Sequence, residues 1–244
     1  MKKYKKIIIT IFIFIFFFIS WMCYYYESIA YYKTLSCTNL FNQLFNYYSG
    51  YNSIFSHSVF NLIVYILSLS KFYNKESNIF VIRNIKRKRI FYKRFLKIIL
   101  FSFVFSLLNV MVNVVMTIYF FYIPNEMFEN FLLAILLQSI MLTFHYLIVG
   151  IIFYLIFDVN KKFAFSLILT FLMFSIITIL NYNLEVKCFF PISNPGILIM
   201  LLKEKINIAN IISRYVAEIS ILSMCFLLGD FIHERKNYYK NESV

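Results

Sequence analysis

The sequence predicts an all-α, polytopic membrane protein with six transmembrane helices, and three observations predict it. The 244 residues are 61% hydrophobic with a mean hydropathy of +0.75. Only 14% are charged, well below the share a soluble domain needs to cover its surface. The apolar residues fall in long blocks with few charges, matching the roughly 20 residues per helix that a bilayer core requires. With 31 Phe and 20 Tyr against 4 Gly and 3 Pro, long helices are favoured over a turn-rich β architecture. The Ile, Phe, Lys, Asn and Tyr bias is that of an AT-rich bacterial coding sequence.

The expected spans are 7–26, 54–69, 98–122, 131–157, 163–180 and 208–232, forming one transmembrane domain over residues 1–244. The second is short and carries His57 and Asn61. The sixth carries Arg214, Glu218 and Asp230. The first follows a basic stretch, Lys2 to Lys6, and precedes a small-x-small site, Ser28-Ile29-Ala30. Its apolar run exceeds the length usual for a signal peptide, so an uncleaved anchor is expected.

Lys and Arg placement orients the spans. With the N-terminus inside, the inner segments hold four basic residues in 1–6, ten in 71–97, two in 158–162 and three in 233–244. Lys33, Lys187, Lys203, Lys205 and Arg214 remain for the outer side. Both termini are therefore expected in the cytoplasm of a bacterial cell. This distribution also accounts for the net charge of +13 without nucleic acid, because the basic residues flank spans and line no soluble face. Four cysteines form no CxxC pair. Free thiols are expected, with a Cys37–Cys188 bridge on the outer side as the alternative.

The densest charge lies between Lys71 and Lys97, where ten Lys/Arg meet one acid, Glu76. Residues 73–85 read as a short amphipathic helix. Asn74 stands at the N-cap and Glu76 in the first turn, with Ile79, Ile82 and Ile85 as a narrow apolar stripe. Arg83 and Lys86 lie off that stripe. The basic run Lys86-Arg87-Lys88-Arg89 would hold such a helix against anionic lipid; a docking role for a soluble partner is the other reading.

This pattern resembles the membrane subunits of type-2 ABC exporters. In them, six spans have both termini inside and an amphipathic coupling helix joins the second and third. That helix begins near a Glu, and a Lys at the start of the third span follows about twenty residues later. Glu76 and Lys97 match those positions, and Arg89 stands near the family's loop Arg. The resemblance covers the whole chain in topology and residues 72–97 in motif. Asn78-Ile79 replaces the Gly-Thr that often follows the Glu, and the Pro before the Arg is absent. It implies a separate ATPase subunit docked on Glu76, Ile79, Ile82, Arg83, Ile85, Arg89 and Lys97, and a homodimer or a sister permease. It also implies a hydrophobic or amphipathic cargo of the peptide-antibiotic kind, for immunity or resistance.

The stretch 181–205 is too long for a tight turn. Its Phe189-Phe190-Pro191-Ile192-Ser193-Asn194-Pro195-Gly196 precedes a short apolar piece, which predicts an interfacial hairpin between spans five and six. Phe189-x-Pro191-x-x-Asn194 resembles, with two of three positions substituted, the Trp-x-Pro-x-x-Asp motif of a group of bacterial membrane proteins, some linked to exporters of peptide antibiotics. An ordinary Pro-containing loop is the plainer reading.

Ionisable and amide groups inside spans face protein or a cavity. Arg214 and Glu218 stand four residues apart on one helix face and can pair, either to hold the sixth span in the bundle or to serve transport. Ser213, Ala217 and Ser220 form an adjoining face of small residues. Asn109 and Asn113 share a face of the third span, and Gln138 and His145 share one in the fourth. Interhelical hydrogen bonds are expected of all four. No GxxxxGK[ST], HExxH or GxSxG sequence occurs, and the three histidines lie in different segments, so neither an enzyme nor a cofactor site is expected. A non-transporting immunity or regulatory protein that binds a peptide or a membrane partner is the second functional reading.

Overall fold

The computed structural model describes residues 2–45, 50–72, 87–183 and 208–235. Every element among them is helical. Five helices are long and apolar enough to cross a membrane: Lys6–Tyr32, Phe91–Phe120, Met127–Asn160, Phe163–Leu180 and Tyr215–Ile232. These features are compatible with a multi-pass membrane protein. The expected amphipathic helix at 73–85, with Glu76, Ile79, Ile82, Arg83 and Ile85, lies outside the described residues. So does the outer motif of Phe189, Pro191 and Asn194.

Helix α1, Lys2–Tyr25, continues through a turn at Tyr26–Ser28 into the short α2, Ile29–Tyr32. Ile9, Ile13, Phe17, Trp21 and Tyr25 recur every fourth residue and form one buried ridge. The faces between them, including Ile8, Phe12, Ile15 and Ile19, are exposed, as for a helix bathed in lipid on most sides. Helix α3, Cys37–Leu44, is amphipathic and buries Leu40, Phe41 and Leu44. Phe41 stacks on Phe131 at 5.4 Å between ring centroids.

The chain then turns inward at Gly50. Its φ of +92° lies in the left-handed region, and a Cβ there would stand 3.0 Å from the Tyr25 hydroxyl, so only glycine fits. The following helical stretch opens with a π-helical turn, Ser56–Phe60, and continues as α4, Asn61–Phe72. This is the expected second span. At 12 residues, and opening beside a polar π-helical turn, α4 does not join the five long apolar helices.

Helix α5, Arg87–Phe120, begins eleven residues before the expected third span. Arg87, Lys88 and Arg89 continue the helix because Lys and Arg are good helix formers. Lys97 therefore lies well inside α5, and Arg89 in its first turn. Helix α6, Asn125–Asn160, is the centre of the bundle and packs most extensively along α5. Its end is closed by Lys161 in the left-handed conformation, whose N–H donates to the Phe157 carbonyl. Gly150 of α6 admits that close packing: a Cβ would stand 2.6 Å from both Ile98 and the Tyr65 hydroxyl. Helix α7, Phe163–Asn183, turns Ser166, Thr170, Phe174 and Thr178 into the bundle, again every fourth residue. The three hydroxyls among them donate to carbonyls one turn back, so they cost nothing in a dry interior. Helix α8, Ile208–Arg235, runs beside α6 at the edge.

Contacts define which helix ends lie together. The Lys6 ammonium sits over the Phe72 ring at 4.6 Å, Arg94 meets Asp158, and Gly229 lies against Phe91. One end of the bundle thus gathers the basic stretches that open α1 and α5, Lys71 of α4 and the Lys161-Lys162 pair that follows α6. At the other end, Tyr25 meets Leu44 and Phe121 meets Tyr32; Lys33 lies at that end.

The basic end is held by a clamp. Arg94 Nη1 donates to both carboxylate oxygens of Asp158, at 3.0 and 3.1 Å, and Lys161 approaches at 3.8 Å. Asp158 is nearly buried (side chain 4% exposed), so its charge depends on these partners. Asp158→Asn should cost about 3 kcal/mol of stability, because it removes the carboxylate that Arg94 grips at both oxygens, whereas Arg94→Met combined with Asp158→Leu should recover most of the loss. Unfolding of purified protein in mixed micelles measures both; a double variant no better than the single one contradicts the clamp.

Candidate functional site

The site grows from a polar stretch that the bundle wraps. Residues 52–58 read Asn-Ser-Ile-Phe-Ser-His-Ser, and all but Phe55 are buried, as is Asn61 one turn on. In lipid each of these groups must find its partner within the protein. Asn52 is the hub at the outer side. Its Nδ2 donates to the Leu44 carbonyl at 2.7 Å, and its Oδ1 accepts from Gln138 Nε2 at 2.7 Å. Asn113 Nδ2 reaches the same oxygen at 3.5 Å, a weak bond, while Asn113 Oδ1 accepts from Trp21 Nε1 at 3.2 Å. One asparagine therefore ties α3, α5 and α6 together, and α1 joins through Trp21.

Tyr51 secures the entry to this stretch. Its hydroxyl donates to the Asn109 carbonyl at 3.1 Å and accepts from Asn109 Nδ2 at 2.9 Å. Its backbone N–H donates to the Tyr25 hydroxyl, which itself donates to the Leu44 carbonyl. Deeper in, His57 Nδ1 lies 3.2 Å from both Asn61 Nδ2 and the Tyr146 hydroxyl. The Tyr146 ring stacks on Tyr65 at 5.0 Å, and the Tyr65 hydroxyl bonds Ser102 at 2.7 Å. Below that level Phe72 and Phe101 pack together and Leu69 is buried, so the polar column ends in an apolar floor toward the basic end.

Asn109, Asn113, Gln138 and His145 are thus brought toward one column; Asn113 bonds another helix through Trp21, while Asn109 and Gln138 bond the turn at Tyr51 and Asn52. His145 packs its ring on Tyr146 and Phe174. Glu218 lies elsewhere, buried on α8 close to Tyr215, whose hydroxyl reaches the Leu137 carbonyl at 3.4 Å. Arg214 stands one turn before it on α8. Ser213 and Ser220 face outward, with Ala217 half-buried beside them. Arg89 and Lys97 on α5 belong to the basic end, far from the column. Sequence reasoning missed Tyr51, Asn52, Ser53, Ser56 and Ser58. The available signal was the crowding of small polar residues at 52–61, which counted only against the span.

A second feature lies at the outer end. A cavity of about 430 Å³ opens there between α2, α3 and the end of α5, lined in part by Tyr32, Lys33, Leu35, Phe121 and Tyr122. That volume is in the range of small-molecule sites. Cys37 also lines it; burial pushes its thiol pKa up, which lowers its reactivity. Cys23, Cys37 and Cys225 are free thiols. Among the described residues no group of three His, Cys, Asp or Glu could hold a metal ion.

The long apolar helices and their buried amide and histidine column are the features of a membrane-embedded helical bundle. No family model, curated protein or solved structure matches the chain.

Trp21 is the single tryptophan, so the protein's tryptophan fluorescence reports the column directly. Asn113→Leu should shift its emission to shorter wavelength, as the indole loses its acceptor in apolar surroundings. The same change should cost about 0.6 to 1.7 kcal/mol, the range of hydrogen bonds between membrane helices. An unchanged spectrum would show that the indole makes no such bond.

Proposed function

We propose that the protein is the permease subunit of an ABC exporter in a bacterial cytoplasmic membrane, with its basic end in the cytoplasm and a separate ATPase docked there. The observation that carries this reading is helix α5. Its 34 residues make a rod of about 50 Å. One end follows directly on the segment expected to dock the ATPase. The other, at Phe120, Phe121 and Tyr122, lines the outer cavity. The Arg94–Asp158 clamp couples the rod to α6 at the basic end. A push on residues 73–86 would move α5 and α6 together and alter the cavity on the far side. Orientation follows from the excess of Lys and Arg at one end. The cargo would be a hydrophobic or amphipathic compound of the peptide-antibiotic kind, and a second permease copy or a sister chain would complete the transporter.

The outer cavity favours a second reading, a non-transporting immunity or regulatory protein. Aromatic walls and one lysine at the interface suffice to bind a peptide from outside, with no ATPase involved.

The readings separate by purification. Solubilised from its native membrane, the protein should bring an ATPase with it, and Glu76→Ala with Ile79→Ala and Ile82→Ala should reduce that recovery at least tenfold while leaving the protein folded. Recovery of no ATPase from the unaltered protein rejects the exporter.

A further inference from the structure

At mid-depth the polar column contains a cluster whose hydrogen-bonding capacity is half used. His57, Asn61, His145 and Tyr146 are all buried, none more than 1% exposed. Asn61 Nδ2 faces His57 Nδ1 at 3.2 Å. An amide nitrogen only donates, so Nδ1 accepts, and the neutral His57 ring carries its proton on Nε2. That Nε2–H has no acceptor. The neutral His145 ring presents one N–H and one lone pair; it approaches the His57 backbone only loosely, and among the described residues neither nitrogen reaches a partner at full hydrogen-bonding geometry. Asn61 Oδ1 is a further acceptor with none. The unmet set is two donors and two acceptors. The charge interaction acting on the His145 ring comes from His57.

Such a set is costly to leave open in lipid. Three further observations point to an occupant. The backbone beside it is wound as a π-helical turn, a departure from the α-helix that recurs at functional sites. Aromatic rings of Tyr65, Phe105 and Phe174 pack on the cluster and shield it from the acyl chains. The column of Asn52, Gln138 and Asn113 connects it to the outer end, while the opposite side is closed by the apolar floor.

We propose that the His57–Asn61–His145 cluster is a binding site for one neutral group that both donates and accepts hydrogen bonds: a carboxamide, as carried by a peptide unit or an Asn or Gln side chain, entering from the outer end. Among the described residues an anion finds no cationic partner here and a metal cation no carboxylate. Water has the same pattern of one molecule giving and taking hydrogen bonds, and it is the competing occupant. The site does not depend on ATPase docking and stands under either functional reading.

The full-length protein, ¹⁵N-labelled at histidine in lipid nanodiscs, tests this with acetamide as the probe. Three histidines give separable ring-nitrogen signals, with His233→Gln assigning the third. Acetamide should shift the His57 and His145 signals saturably and leave His233 unmoved. Asn61→Leu, close in shape, should weaken that response about tenfold, the worth of one hydrogen bond. Should that variant not fold, the titration of the unaltered protein decides alone. Signals that already report hydrogen-bonded rings and ignore acetamide would mean bound water only and overturn the proposal. A shift common to all three histidines, or one undiminished by Asn61→Leu, would overturn it as well.

Discussion

The structure depends on one constraint: the polar stretch from Tyr51 to Asn61 lies inside a bundle of apolar helices and has no bulk water to satisfy it. The partners it finds beyond itself are spread over four helices, α1, α3, α5 and α6. Asn52 reaches α3 and α6, Tyr51 reaches α1 and α5, and His57 reaches α6. Hydrophobic burial cannot choose among arrangements of lipid-bathed helices, because lipid is as apolar as their side chains. Directional bonds to a handful of amides can. The ridges that recur every fourth residue on α1 and α7 let those helices close around the stretch once its bonds have set their places.

The same physics distributes charge. Among the described residues, Lys6, Arg94 and Lys161 lie at one end. Asp158, nearly buried at that end, is matched by Arg94 and Lys161. The other end is aromatic, with Tyr26, Tyr31, Tyr119 and Tyr122 exposed around the cavity, as suits a level where membrane meets water. Between the ends, α5 and α6 are the two long struts. The polar column lies alongside both.

Much of this was legible in the sequence, because long apolar blocks and basic flanks state their physics directly. Spans one, three, four, five and six correspond to the five long apolar helices. Asn113 bonds another helix through Trp21, while Asn109 and Gln138 bond the turn at Tyr51 and Asn52. The second span misled because composition counts polar residues against a membrane helix, while packing can enclose them; His57 and Asn61 were read as defects of a span, and Asn52 and Ser56 were passed over. The meaning of Asn52 and His57 depends on partners 86 and 89 residues away, Gln138 and Tyr146, and no local pattern encodes that. The start of α5 was misplaced for a different reason: apolarity marks where lipid begins, and a helix of good formers runs past that line.

The bond between Asn52 and Gln138 is the most direct measure of whether the polar stretch organises the bundle. A double-mutant cycle with Asn52→Leu and Gln138→Leu, read by reversible unfolding in mixed micelles, isolates it. The account predicts a coupling energy of about 1 kcal/mol, with the second substitution costing less once the first is made. Strictly additive losses would mean that the two amides do not meet, and that the stretch does not hold the helices in place.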